Sequence, residues 1–230
     1  MMRISITRAV VAFATFLLGT ASAHATPVTF TADSTSSFGL SITAGVLGSA
    51  SGSAGVSGTL NATVTNTSTP PITITETGSA FDVADFTITG LALGPLAIDN
   101  FQFTVSGPAV STTGTNPYTV NLSGATITVN NGQVIQGGTS TLFDYSKTPD
   151  VVTLPNPTNS TFQVSGSNLT WTIPTTMVST LSTLGIPVDI TITTDLVLKG
   201  MIPTIVPEPG TLVMLGAGLT GLAAFGRKRR

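Results

Sequence analysis

The chain has 230 residues, 41% of them hydrophobic and only 8% charged, with no Cys and a single His, His24. A typical soluble protein is about a quarter charged, and a chain without thiols and with one imidazole excludes disulfide scaffolds, thiol nucleophiles and most metalloenzymes. Six of the eight basic residues sit at the two ends, so residues 26–206 keep only Lys147 and Lys199 against nine acids, a net charge of −7. That body has no basic patch with which to grip phosphates, which excludes nucleic-acid binding.

Residues 1–25 have the three parts of a secretory signal: Arg3 and Arg8, the apolar run Ala9 to Leu18, then small residues. Signal peptidase needs small side chains at the third and first positions before the cut, and both Ala21-Ser22-Ala23 and Ala23-His24-Ala25 provide them. Cleavage after Ala25 is the preferred reading, with Ala23 as the other site. The apolar run is too short to span a bilayer and is followed by Thr26-Pro27. A cut after Ala25 also discards His24.

From Thr26 onward apolar residues recur at every second position, the strand period. The runs are Val28 and Phe30; Phe38, Leu40 and Ile42; Leu60, Ala62 and Val64; Ile72 and Ile74; Phe86 and Ile88; and Phe101, Phe103 and Val105. Further along come Val120 and Leu122; Ala125, Ile127 and Val129; Phe162 and Val164; Leu169, Trp171 and Ile173; and Val188, Ile190 and Ile192. Gly48 to Gly55 contains only Gly, Ser and Ala and reads as a linker, a hairpin connection or a small-residue strand. Asn130-Asn131-Gly132 reads as a hairpin turn between two runs. One helix is expected, Thr176 to Leu184, after Pro174 and stopped by Gly185. Thr-x-Thr pairs such as Thr63 and Thr65, Thr126 and Thr128, and Thr191 and Thr193 occupy the opposite strand faces, where β-branching favours extended backbone and the hydroxyl stays hydrated. About a dozen short strands imply an all-β fold, an antiparallel β-sandwich or barrel-like domain over residues 26–206.

The C-terminus reads Val206-Pro207-Glu208-Pro209-Gly210, then an uncharged stretch from Thr211 to Gly226, then Arg227-Lys228-Arg229-Arg230. The uncharged stretch is a transmembrane-helix candidate, begun by Pro209 and lengthened by snorkelling of the basic residues. By the positive-inside rule Arg227, Lys228, Arg229 and Arg230 stop transfer and remain cytoplasmic, leaving residues 26–206 across the inner membrane. Gly216 to Gly221 matches a dinucleotide-loop pattern by accident, since no βαβ unit surrounds it.

The order Pro-Glu-Pro, short Gly-rich membrane helix and terminal basic cluster resembles the PEP-CTERM sorting signal of Gram-negative bacteria, a tail also labelled an ice-binding-protein C-terminal domain. The resemblance covers about the last 25 residues. It implies that an integral-membrane exosortase recognises Pro207, Glu208 and Pro209 and releases or transfers the passenger. Two prolines hold the segment extended and present Glu208 as a fixed anionic handle beside the membrane.

Within residues 26–206 the remaining chemistry is that of carboxylates. Asp82-Val83-Ala84-Asp85 places two acids close in sequence, and Asp144 and Asp150 bracket a turn-rich loop, but neither pair carries a catalytic signature. No Asp-rich calcium loop is present, so no metal site and no cofactor is expected. The Thr-x-Thr pairs have no fixed period, which argues against a lattice-matching array. Trp171 and Tyr118 could stack on a sugar ring, but Trp171 sits in a core-type alternation. Asn61, Asn66, Asn121, Asn159 and Asn168 head glycosylation-type triplets that a Thr/Ser-rich chain produces by chance.

The expected function is therefore that of an exported, non-enzymatic protein of the cell surface or exopolysaccharide matrix, anchored transiently by its tail. Its expected partners are signal peptidase, the exosortase and the inner membrane, with exopolysaccharide as a candidate ligand. The alternative is a secreted carbohydrate-active or ligand-binding module, ice binding included.

Overall fold

A computed structural model describes residues 25–45, 48–67, 70–92, 94–154, 160–183 and 186–203. Its regular elements are fourteen strands in one antiparallel sheet, as the period-2 pattern requires. They are β1 (Thr26–Ala32), β2 (Ser37–Thr43), β3 (Ser49–Thr65), β4 (Thr73–Val83), β5 (Phe86–Ile88), β6 (Leu96–Ser106) and β7 (Val110–Thr113). Then follow β8 (Tyr118–Val120), β9 (Thr126–Gln136), β10 (Ser140–Asp144), β11 (Asp150–Thr153), β12 (Ser160–Ser165), β13 (Asn168–Thr183) and β14 (Ile186–Met201).

The pairings close into a ring. From β3 the circuit runs through β4, β7, β8, β12, β13 and β14, and β14 returns to β3 through both β1 and β2. Closure leaves no free edge along that circuit, the way barrels solve the problem of unpaired backbone groups. A branch leaves it where β4 pairs β6 at Phe81 to Val83; β6 then pairs β9, and β9 holds β10 and β11. The architecture is barrel-like with a sheet extension.

The alternating apolar residues point inward as their period demands. Phe30, Leu60, Val64, Ile74, Phe162, Leu169, Trp171 and Leu198 are at most 3% exposed, and each such burial contributes about 1.5–3 kcal/mol before entropy is charged. Phe30, Phe162 and Trp171 meet edge to face with centroids 6.1–6.2 Å apart. Toward the extension, Phe38 contacts Phe86 and Phe101, and Tyr145 closes over Phe101. Gly200 lies where β1 packs onto β14: a Cβ there would fall 2.8 Å from both Val28 and Phe30, so only a hydrogen fits.

Three local readings are settled or overturned. Gly48 to Gly55 is no linker, because Ser49 to Gly55 is strand, paired with β2. Thr176 to Leu184 is not a helix: as far as Thr183 it is strand β13, with Thr176 opposite Thr193 and Thr183 opposite Ile186. Its β-branched Thr and Val residues favour extended backbone, and the neighbouring strand supplies the ladder. Asn130-Asn131-Gly132 is not a hairpin turn but lies inside β9. The register against β6 slips there, with Asp99 opposite Gln133, Gln102 opposite Asn131 and Phe103 opposite Val129. Gly132 takes φ 134° and Asn100 φ 54°, the conformations of a bulge, and a Cβ on Gly132 would sit 2.8 Å from the Phe101 ring. The residues that permit a tight turn serve here to bend a continuous strand.

Candidate functional site

The strongest sequence signal is the tail, and the fold shows how it is attached. β14 runs to Met201, Ile202 donates its N–H to the Ser167 carbonyl at 2.8 Å, and Pro203 is the last described residue. Lys199, just before this end, is tied to Asp33 by an ion pair of 2.6 Å. That partner and Thr35 hold the Asp33 carboxyl down to about 2. Only Thr204, Ile205 and Val206 separate this fastened end from Pro207. Pro207, Glu208, Pro209, the stretch 211–226 and Arg227 to Arg230 lie outside the described residues, as does Ala23; Ala25 is exposed and immediately precedes β1. Among the described residues no helix is long and apolar enough to cross a membrane.

Asp82, Asp85 and Asp144 have structural partners. Asp85 accepts the Asn100 backbone N–H at 2.8 Å, a donor that the bulge removes from the ladder, and Asp82 accepts from Gln102 Nε2 at 3.3 Å. Asp144 organises its own turn: its carboxylate accepts the Ser146 N–H and hydroxyl and pairs with Lys147 at 2.8 Å, which pulls the acid down and pushes the lysine up. Asp150 begins β11 opposite Val129, and its charge adds to burial in raising Tyr145. Glu76 is pushed up by desolvation, against the N–H groups of Gly78 and Gly107 that it accepts. It edges an apolar cavity of about 20 Å³ beside Leu60, Ile74 and Trp171, room for about one water and no more. Among the described residues no three acids or imidazoles gather as a metal site.

Trp171 is core. It is 3% exposed and its Nε1 donates to the buried Ser160 hydroxyl at 2.8 Å. Tyr118, half-buried, packs against the same core. The threonine face of β13 and β14 is broken by charge, since Lys199 stands opposite Thr170 and Asp195 opposite Pro174.

One recess has several polar groups around it, and sequence reasoning missed it. Gly58, Asp82, Gln102, Thr104 and Asn130 surround an open groove of about 210 Å³ between β3, β4, β6 and β9. Asn130 donates to Thr104 Oγ1 at 3.2 Å beside the Asp82–Gln102 pair. These residues come from four strands whose register no local pattern specifies; the only linear hint was Asp82 itself.

No curated protein and no solved structure matches the chain. Residues 206–230 do match a family, described as the PEP-CTERM protein-sorting motif. The match begins three residues beyond the end of the described fold and takes in Pro207-Glu208-Pro209, the uncharged stretch and the basic cluster. The chain thus carries a PEP-CTERM protein-sorting motif behind a β-strand domain, and the motif supports export and exosortase-dependent processing.

Proposed function

We propose that the chain is a non-enzymatic protein of the cell surface or exopolysaccharide matrix. Signal peptidase removes residues 1–25 after Ala25, residues 211–226 hold the exported domain at the inner membrane, and the exosortase acts at Pro207-Glu208-Pro209. The observation that carries this reading is the sorting motif at residues 206–230. The domain's low charge and Thr-rich strand faces suit a body that is displayed and hydrated without ionic partners.

The test is a blot of cell and medium fractions in the native host, wild type against Glu208→Ala. The expected outcome is an uncleaved, cell-associated variant with normal export. Changing Arg227, Lys228, Arg229 and Arg230 together should instead disturb retention or topology. Equal release and size for wild type and Glu208→Ala would reduce the tail to a plain anchor.

A second reading, a ligand-binding module, is favoured by the groove around Asp82, Gln102, Thr104 and Asn130. Its amide donors and carboxylate acceptor are the groups that recognise a neutral, hydroxyl-rich ligand such as a glycan. Titration with exopolysaccharide from the host distinguishes the readings, since binding abolished by Asp82→Ala and Asn130→Ala together would support the module.

A further inference from the structure

The strand registers place both termini of the domain on one rim. Starting from β1, Thr26 pairs with Val64 near the end of β3; Thr65 pairs with Thr73, Thr73 with Ser111, and Thr113 with Thr119. The same end continues through Tyr118 opposite Phe162, Ser165 opposite Asn168, and Asn168 opposite Met201. Among the described residues, the connecting segments 66–67, 70–72, 114–117 and 166–167 are therefore at the end where the chain enters at Thr26 and leaves after Met201.

This rim carries no charge. Residues 25–26, 65–73, 113–118, 165–168 and 201–203 contain no Asp, Glu, Lys, Arg or His. The nearest cation, Lys199, is already paired with Asp33. Glu76 is drawn partly inward, and every acid from Asp82 to Asp195 lies further along the strands, toward the opposite end. Met201 is 63% exposed on the uncharged rim, and Pro70 and Pro71, both exposed, belong to the β3–β4 connection on the same rim.

We propose that this rim is a membrane-docking surface, seated on the anionic phospholipid face of the bilayer while the precursor is anchored. The tether is short. From Pro203 to Thr211 is eight residues, at most roughly 28 Å fully extended, and the headgroup layer itself takes roughly 5–7 Å of that. An acid-bearing end held so close to anionic headgroups would be repelled by like charge, whereas an uncharged end with exposed Met and Pro side chains enters the interface without that penalty. Pro203, the last described residue, then lies at the layer between domain and bilayer, and the five residues on to Glu208 can reach no more than roughly 18 Å from it. Ala25 opens onto the same layer, so both cleavage points face the membrane from one end of the fold.

The docking rests on the anchored precursor proposed above, and the test separates the two. The chain has no Cys, so single cysteines report cleanly. The full chain is reconstituted in vesicles of phosphatidylethanolamine and phosphatidylglycerol with an environment-sensitive fluorophore at Thr67→Cys, Ser167→Cys, Ser146→Cys or Leu219→Cys, each checked by circular dichroism. Spin-labelled lipids serve as quenchers. Docking predicts loss of fluorescence at Thr67→Cys and Ser167→Cys with headgroup-level quenchers, and none at Ser146→Cys. Quenching at Leu219→Cys by deep quenchers with none at the rim positions would overturn the docking and leave the anchor intact. No quenching at Leu219→Cys would overturn the anchor and the docking with it. Rim protection seen only in host membranes, and not in pure lipid, would assign the surface to a protein partner and overturn the bilayer as its occupant.

Discussion

The indole Nε1 of Trp171 donates a 2.8 Å hydrogen bond to Ser160 Oγ, joining β13 to the first residue of β12 inside the core. Both residues are buried, Ser160 completely. Ser160→Ala leaves the indole N–H without this acceptor, and the expected cost is about 1–3 kcal/mol. Trp171 is the only Trp, so its fluorescence in a urea titration reads the change directly. An unchanged midpoint would show that the bond contributes nothing net.

Thr175 and Thr194 stand directly opposite each other on β13 and β14, each 4% exposed, and neither hydroxyl has a hydrogen-bond partner among the described residues. Valine has the same shape without the polar atom. Thr175→Val and Thr194→Val should each stabilise the fold by about 1 kcal/mol, the desolvation cost of an unsatisfied hydroxyl. Destabilisation on thermal melting would mean that a buried water satisfies the pair.

Two glycines in strands should respond with opposite sign. Gly132 has φ 134° and no room for a Cβ beside Phe101, so Gly132→Ala should cost about 2–4 kcal/mol. Gly55 has open space where a Cβ would go, and Gly55→Ala should gain about 0.5 kcal/mol by restricting the unfolded chain. Denaturant midpoints of the two variants decide it; equal effects would refute the bulge assignment.

Acid should weaken the fold through Asp33. Its carboxyl is held at about 2 against an ordinary 3.8 by Lys199 and Thr35, so the ionised form is favoured in the folded state. That contribution is present above about pH 4 and is lost as pH falls toward 2. Glu76 acts with the opposite sign: raised by desolvation, it is a liability at neutral pH that protonation relieves. Melting temperatures across this range should show Asp33→Asn with a shallower acid loss, and Glu76→Gln more stable than wild type at pH 7 with the gap closing in acid. Parallel curves for all three proteins would contradict both assignments.

The period-2 runs were legible because a strand's inward face is a local property: side chains alternate whatever the partner. Val28, Phe30, Phe38, Leu40, Leu60, Val64 and Trp171 are all buried, as their spacing requires. The tail was legible for a similar reason, since Pro207-Glu208-Pro209, an apolar run and a basic cluster are contiguous in the chain and match the sorting motif without reference to any partner strand.

By itself, then, the sequence determined the strand character, the inward residues, the sparsely charged surface and the sorting tail. Only the tertiary structure decided that Asn130-Asn131-Gly132 bends a strand instead of ending one, that Thr176 to Thr183 pairs with β14, and that the strands close into a ring. It alone brought Asp82 of β4, Gln102 and Thr104 of β6 and Asn130 of β9 around one groove. The physical reason is common to all of these. Strand pairing joins residues far apart in the chain, so a conformation that Asn, Gly or Thr permits in several ways is selected by the neighbour across the ladder and the ring packed beneath it.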